Sequence, residues 1–75
     1  MILLYKWRKK HDKMISPPVD YRFITYDKKN AIHSVVLESK YPGKEWKVEE
    51  FFEGYTVVLN ILRLIENATG KYFDL

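Results

Sequence analysis

Seventy-five residues, 47% hydrophobic, 16% aromatic and 31% charged with a formal net charge of +3, make one folded domain spanning 1–75. They exclude a multidomain enzyme, a cofactor fold built of several βαβ units and a disordered tail. Cysteine is absent, so neither a disulfide framework nor a thiolate metal site is possible. A chain this short buries only about 60% of the surface that it exposes when unfolded, and self-association or a bound partner is expected to add stability.

The charge is unevenly divided. Residues 1–37 hold eight Lys/Arg against three Asp, and residues 38–75 hold five Lys/Arg against seven Asp/Glu. A basic half is followed by an acidic one.

Ile2 to Arg8 alternates, with Leu3, Tyr5 and Trp7 on one side and Ile2, Leu4, Lys6 and Arg8 on the other, which is the period of a first strand. Its start is apolar and turns basic at Lys6, which matches neither a secretory leader nor a membrane anchor, so a soluble, cytoplasmic protein is expected. Residues 9–19 read as loop, because Pro17 and Pro18 cannot donate ladder bonds. Tyr21–Tyr26 and Ile32–Leu37 flank Asp27-Lys28-Lys29-Asn30 and read as a hairpin. Asp27 suits the first position of a type I turn, and Asn30 the left-handed residue after it. This register sets Phe23 against Val35 and Tyr21 against Leu37, with His33 on the same face as Phe23 and Val35. Ile24, Tyr26, Ile32 and Val36 occupy the other face, which is apolar enough to require a cover.

Tyr41-Pro42-Gly43 is a turn, after which apolar residues at 48, 51, 55, 58, 62 and 65 follow a helical period. The spacing predicts one helix from Lys47 to Ala68, with Glu45, Glu49, Glu50 and Glu53 at its positive end and Thr69-Gly70-Lys71 as its stop. Gly54 and the β-branched Thr56, Val57, Val58 and Ile61 oppose this, and a strand over 55–65 is the alternative. The expected fold class is α+β: a small antiparallel sheet of about three strands, with one long C-terminal helix packed on one face through Val48, Phe51, Phe52, Tyr55, Val58, Leu59 and Leu62.

Such a helix carries a second apolar stripe, Val57, Ile61, Leu64 and Ala68, that one sheet cannot cover. Either the C-terminal tail or the Pro17-Pro18 loop folds over it, or a partner does, and the partner is the favoured reading. These residues form the expected seam of a homodimer, and the aromatic-basic edge around Trp7, or the opposite face of the hairpin, is left for a larger target protein. Gly54, near that side, is read as admitting close approach of another backbone.

Lys6, Arg8, Lys9, Lys10 and Lys13, interleaved with aromatic rings and joined by Lys28 and Lys29 at the hairpin tip, also suit contact with nucleic acid or an acidic protein. A lysine-guarded strand edge has the same composition. Ser16, Ser34 and Ser39 lack a nucleophile framework, the glycines form no phosphate loop, and His11 and His33 lack neighbours at ligand spacing. Catalysis, a metal, a cofactor, a small-molecule substrate and a membrane are therefore not expected. The function expected is that of a non-enzymatic protein-interaction module that inhibits or recruits a larger cellular protein, as small phage-type regulators do. A basic nucleic-acid-binding module is the alternative.

Overall fold

The computed structural model describes residues 1–9 and 17–71. Four strands, β1 (Ile2–Lys9), β2 (Val19–Thr25), β3 (Ser34–Lys40) and β4 (Lys47–Glu53), precede one helix, α1 (Tyr55–Thr69). The strands form a single antiparallel sheet in the order β1-β2-β3-β4, so neighbours in sequence are neighbours in space. The fold is α+β, with four strands rather than about three.

The added strand comes from the segment expected to open the helix. Lys47–Glu53 pairs with Ser34–Ser39 instead, because its Val and Phe residues suit a ladder as well as a helix and β3 offers an unpaired edge. Gly54 then makes the break. Its φ of 102° is closed to most side chains, and its carbonyl accepts the Val58 N–H at 3.0 Å to begin α1. The glutamates at 45, 49, 50 and 53 thus precede the helix, and its first turn holds no acidic residue. A Cβ on Gly54 would meet nothing within 4 Å, so within this chain the glycine serves the turn. The helical reading of 55–65 stands over the strand alternative. Gly70 stops the helix in the left-handed conformation, its N–H donating to the Glu66 carbonyl at 2.8 Å.

The hairpin between β2 and β3 forms with its register displaced by two residues. Phe23 faces Leu37 and Tyr21 faces Ser39, in place of Val35 and Leu37. A two-residue slip leaves each side chain on its expected face. Its cause is Asp27, whose Oδ2 accepts the backbone N–H groups of His33 (2.8 Å) and Ser34 (2.9 Å) and the Ser34 hydroxyl (3.1 Å). Drawn back onto this carboxylate, the chain turns at Lys28–Ala31, where the Ala31 N–H donates to the Lys28 carbonyl at 2.9 Å. Asn30 has negative φ, not the left-handed conformation, and His33 precedes β3, exposed. Ile32 moves from the expected outer face into the core. The Tyr41–Lys44 turn forms as read, with Gly43 at φ 75° and the Lys44 N–H donating to the Tyr41 carbonyl.

The core lies between α1 and one sheet face. Leu4, Ile32, Val35, Val58, Leu62 and Ile65 form a buried cluster, with Ile2, Tyr5, Phe23 and Ile61 packed around it. Of the helix contacts expected, Val58 and Leu62 are buried and Leu59 is half-buried; Val48, Phe51 and Tyr55 are exposed. The first two of these exposed residues belong to β4 and not to a helix. On the opposite face Ile24 and Val36 are buried, whereas Tyr26, expected beside them, is exposed.

Leu62 and Leu64 offer a direct comparison within one helix. Leu62→Ala is expected to lower the unfolding free energy by about 2–5 kcal/mol in urea denaturation, because a cavity replaces buried contacts. Leu64→Ala should stay within about 0.5 kcal/mol of the parent.

Candidate functional site

Alternation along β1 sends its rings and its first two cations to opposite faces. Trp7 lies half-buried on the helix-bearing face, its ring 5.5 Å from Tyr5, 5.4 Å from Tyr21 and 5.2 Å from Phe23. Tyr5 and Phe23 touch the core, so this ladder continues the core along the sheet. Trp7 is therefore held among the rings of Tyr5, Tyr21 and Phe23.

On the other face the polar side chains pair across the strands. Arg22 Nε donates to Glu38 Oε1 at 2.6 Å, and its guanidinium lies 4.0 Å from the centre of the Trp46 ring. Lys6 Nζ lies over the same ring at 5.8 Å. Glu38 is buried, so its charge is tolerable only because Arg22 meets it. Arg8 Nε donates to Asp20 Oδ1 at 2.6 Å; this hydrogen bond, with the opposite charge, holds the Asp20 carboxyl below the ordinary carboxylate value and the Arg8 guanidinium above its own. Asp27 is lowered too, first by the His33 N–H and then by the Ser34 N–H and hydroxyl.

The cations singled out as a possible phosphate-binding set do not converge. Lys6, Arg8 and Lys9 occupy the second half of β1, with Arg8 already paired. Lys28 and Lys29 sit in the turn that follows β2, whose far end lies beside Lys9. Lys9 lies the length of a seven-residue strand, roughly 23 Å, from that turn, while Lys6 stands opposite Arg22 in the middle of β2. Lys10 and Lys13 lie outside the described residues, as do His11, Asp12, Ser16 and the tail from Tyr72 to Leu75.

The apolar stripe of α1 is brought together as expected, with one change. Val57 is 44% exposed and Leu64 69%, and Ala68 is also exposed, whereas Ile61 is half-buried against the core. At about 100° per residue the stripe is centred roughly a quarter turn from the buried Val58, Leu62 and Ile65, so it forms a rim of the core-facing arc, not the back of the helix. Pro17 and Pro18 are themselves exposed.

A hollow of about 170 Å³ opens between the connection before β3 and the start of α1, lined by Ala31, Ile32, His33, Tyr55, Val58 and Leu59. Its lining is mainly apolar. Among the described residues no three His, Asp or Glu gather as a metal site would require. No helix among them is long and apolar enough to cross a membrane. Comparison with protein-family models, curated proteins and solved structures yields no match.

What sequence reasoning missed is the acidic edge, since residues 47–53 were assigned to a helix. Alternation within Lys47-Val48-Glu49-Glu50-Phe51-Phe52-Glu53 is imperfect because β4 carries an irregularity opposite Leu37/Glu38. The available signal was Gly54 directly after a run rich in Val and Phe.

Removing Arg22 tests the buried pair. Arg22→Met should cost about 3–5 kcal/mol by leaving the Glu38 carboxylate buried alone, and adding Glu38→Gln should recover most of that loss in the same denaturation assay.

The lowered carboxyls fix a direction for pH dependence. The unfolded chain takes up protons at Asp20 and Asp27 before the folded chain does, so stability from these groups is complete above the ordinary carboxylate value and is lost as pH falls through their lower folded values. Asp27→Asn should flatten the fall of the urea midpoint across this acid range, whereas Lys29→Gln, at the exposed turn, should leave its slope unchanged.

Proposed function

We propose that this chain is a non-enzymatic protein-interaction module that binds and modulates a larger protein through the rim of α1. The observation that carries this reading is the exposure of Val57 and Leu64, one heptad apart on a helix whose Val58, Leu62 and Ile65 are buried. Covering each aliphatic side chain would contribute about 1.5–3 kcal/mol, a large share of the stability of so small a domain. A groove on the target that accepts Val57, Leu64 and Ala68 would use the helix as an anchor series, with polar Thr56, Asn60 and Arg63 at its border.

Mechanism follows from size. A chain with one rigid helix against a sheet acts stoichiometrically, occluding a surface of its target or carrying it to another protein. The rim is a poor seam for a symmetric homodimer, because Ile61 is already committed to the chain's own core. Two copies would share little beyond Val57, Leu64 and Ala68, far short of the roughly 800 Å² per partner of a standard interface. Nucleic-acid binding draws less support from the geometry, since Lys9 and the turn cations stand a strand length apart.

Affinity capture from a lysate of the source cell, with and without nuclease, tests this reading. The expected outcome is a stoichiometric protein partner that survives nuclease and is lost with Val57→Asp/Leu64→Asp, a double variant that keeps its far-UV circular dichroism. Nuclease-sensitive recovery, or a partner retained by the double variant, would overturn it.

A further inference from the structure

The two outer strands of the sheet carry opposite charge. Among the described strands β1 and β4 are the edges, each presenting on its outer side a row of backbone groups without a ladder partner. Strand β1 holds Lys6, Arg8 and Lys9 and no acidic residue, whereas β4 holds Glu49, Glu50 and Glu53 against Lys47. All seven are exposed. The inner strands are each balanced, Asp20 with Arg22 and Glu38 with Lys40. Charge is thus concentrated at the two edges, with opposite signs.

Charged residues guard an edge against pairing only when the approaching edge has the same sign. Two β1 edges would bring Lys6, Arg8 and Lys9 against their copies, and two β4 edges would oppose glutamates, both unfavourable across strands. An approach of β1 to β4 has no such barrier. Lys6, Lys9, Glu50 and Glu53 have no ion-pair partner among the described residues, Lys6 lying over the Trp46 ring.

Direction and packing agree with this choice. In a four-stranded antiparallel meander the first and last strands run oppositely, so a copy shifted sideways in the same orientation lays its β1 antiparallel to β4. One row of side chains also crosses the whole sheet on the face opposite α1: Leu3, Ile24, Val36 and Phe51 stand in register. The middle pair is buried, at 0% and 5% exposure, while Leu3 and Phe51 at the ends are 51% and 57% exposed. Placing Leu3 of one copy beside Phe51 of the next continues the row; Lys6 lies on that face while Glu50, paired with Leu37, lies on the helix-bearing one, so the two edges attract through their opposite charge as a whole.

We propose that this protein self-associates head to tail, the basic β1 edge of one copy adding to the acidic β4 edge of another to extend one continuous sheet. The contact is heterologous and leaves a free edge at each end, so assembly proceeds past the dimer. It is independent of the α1 rim, which stays available to a target.

Sedimentation velocity on the full chain tests the proposal. The wild type should sediment beyond a dimer as concentration rises through the micromolar range and return toward monomer in high salt. Lys6→Glu and Glu50→Lys should each raise the apparent dissociation constant severalfold, since each removes charge contrast between the two edges. Both positions are exposed, and circular dichroism checks folding; Lys6→Gln and Glu50→Gln repeat the comparison with a smaller effect if either reversal unfolds. A wild type that stays monomeric at high micromolar concentration would overturn the proposal, as would assembly that neither high salt nor the charge reversals weaken. Dissociation by Val57→Asp/Leu64→Asp but not by the charge reversals would assign self-association to the helix, against the proposal.

Discussion

A single glycine in a conformation that few other residues adopt determines where each apolar side chain of the C-terminal half goes. Gly54, at φ 102°, ends a strand whose residues alternate and opens a helix whose residues repeat every 3.6 positions. Without that break, Val48, Phe51, Val58 and Leu62 would belong to one stripe on one rod. With it, Val48 and Phe51 lie on an exposed sheet edge, and Val58 and Leu62 close the core over Val35 and Leu4. The extra strand, the short helix and the acidic edge all follow from this one turn.

A second constraint acts at the other connection. Asp27 gathers three donors onto one oxygen and so sets where β3 begins, and with it which residues of β2 and β3 face one another. A carboxylate accepting several such bonds favours its charged form, which is why its proton affinity falls. Register is thus tied to a titratable group, although the hydrophobic pattern alone tolerates a slip of two.

How much of this could be read in the residues depended on whether the signal was local. The strand over Ile2–Arg8, the Pro42-Gly43 turn and the glycine stop at Gly70 are local, and each forms as expected, except that an irregularity between Leu3 and Tyr5 breaks the alternation, turning Leu3 to the face away from Tyr5 and Trp7 and Leu4 into the core. The period of 48–65 was ambiguous in principle, because positions three and four apart in Lys47–Glu53 fit a helix while their residue types fit a strand; pairing with β3, a tertiary contact, decided it. On α1, Val57, Leu64 and Ala68 are exposed, yet Ile61 belongs partly to the core because the helix presents a broader arc to the sheet than a single stripe. The basic set looked continuous in the chain, but two of its lysines lie a strand length away from Lys9.

The topology explains why a charge imbalance along the chain becomes one across the molecule. In a meander, order in sequence is order in space, so a basic first half and an acidic second half become opposite flanks of the sheet. Other strand orders would fold the gradient back on itself and bring β1 beside β4 in the same sheet, where their charges would be satisfied internally. Here the neutral inner strands hold them apart, and Arg22 with Glu38 and Arg8 with Asp20 cancel charge across adjacent strands. Apart from Lys40 on β3, the strand charges that remain are on the two edges, the elements that also have backbone bonds to offer. The same linear order places α1 last, with its rim outside the plane in which the edges meet, so one short chain presents two surfaces that need not compete.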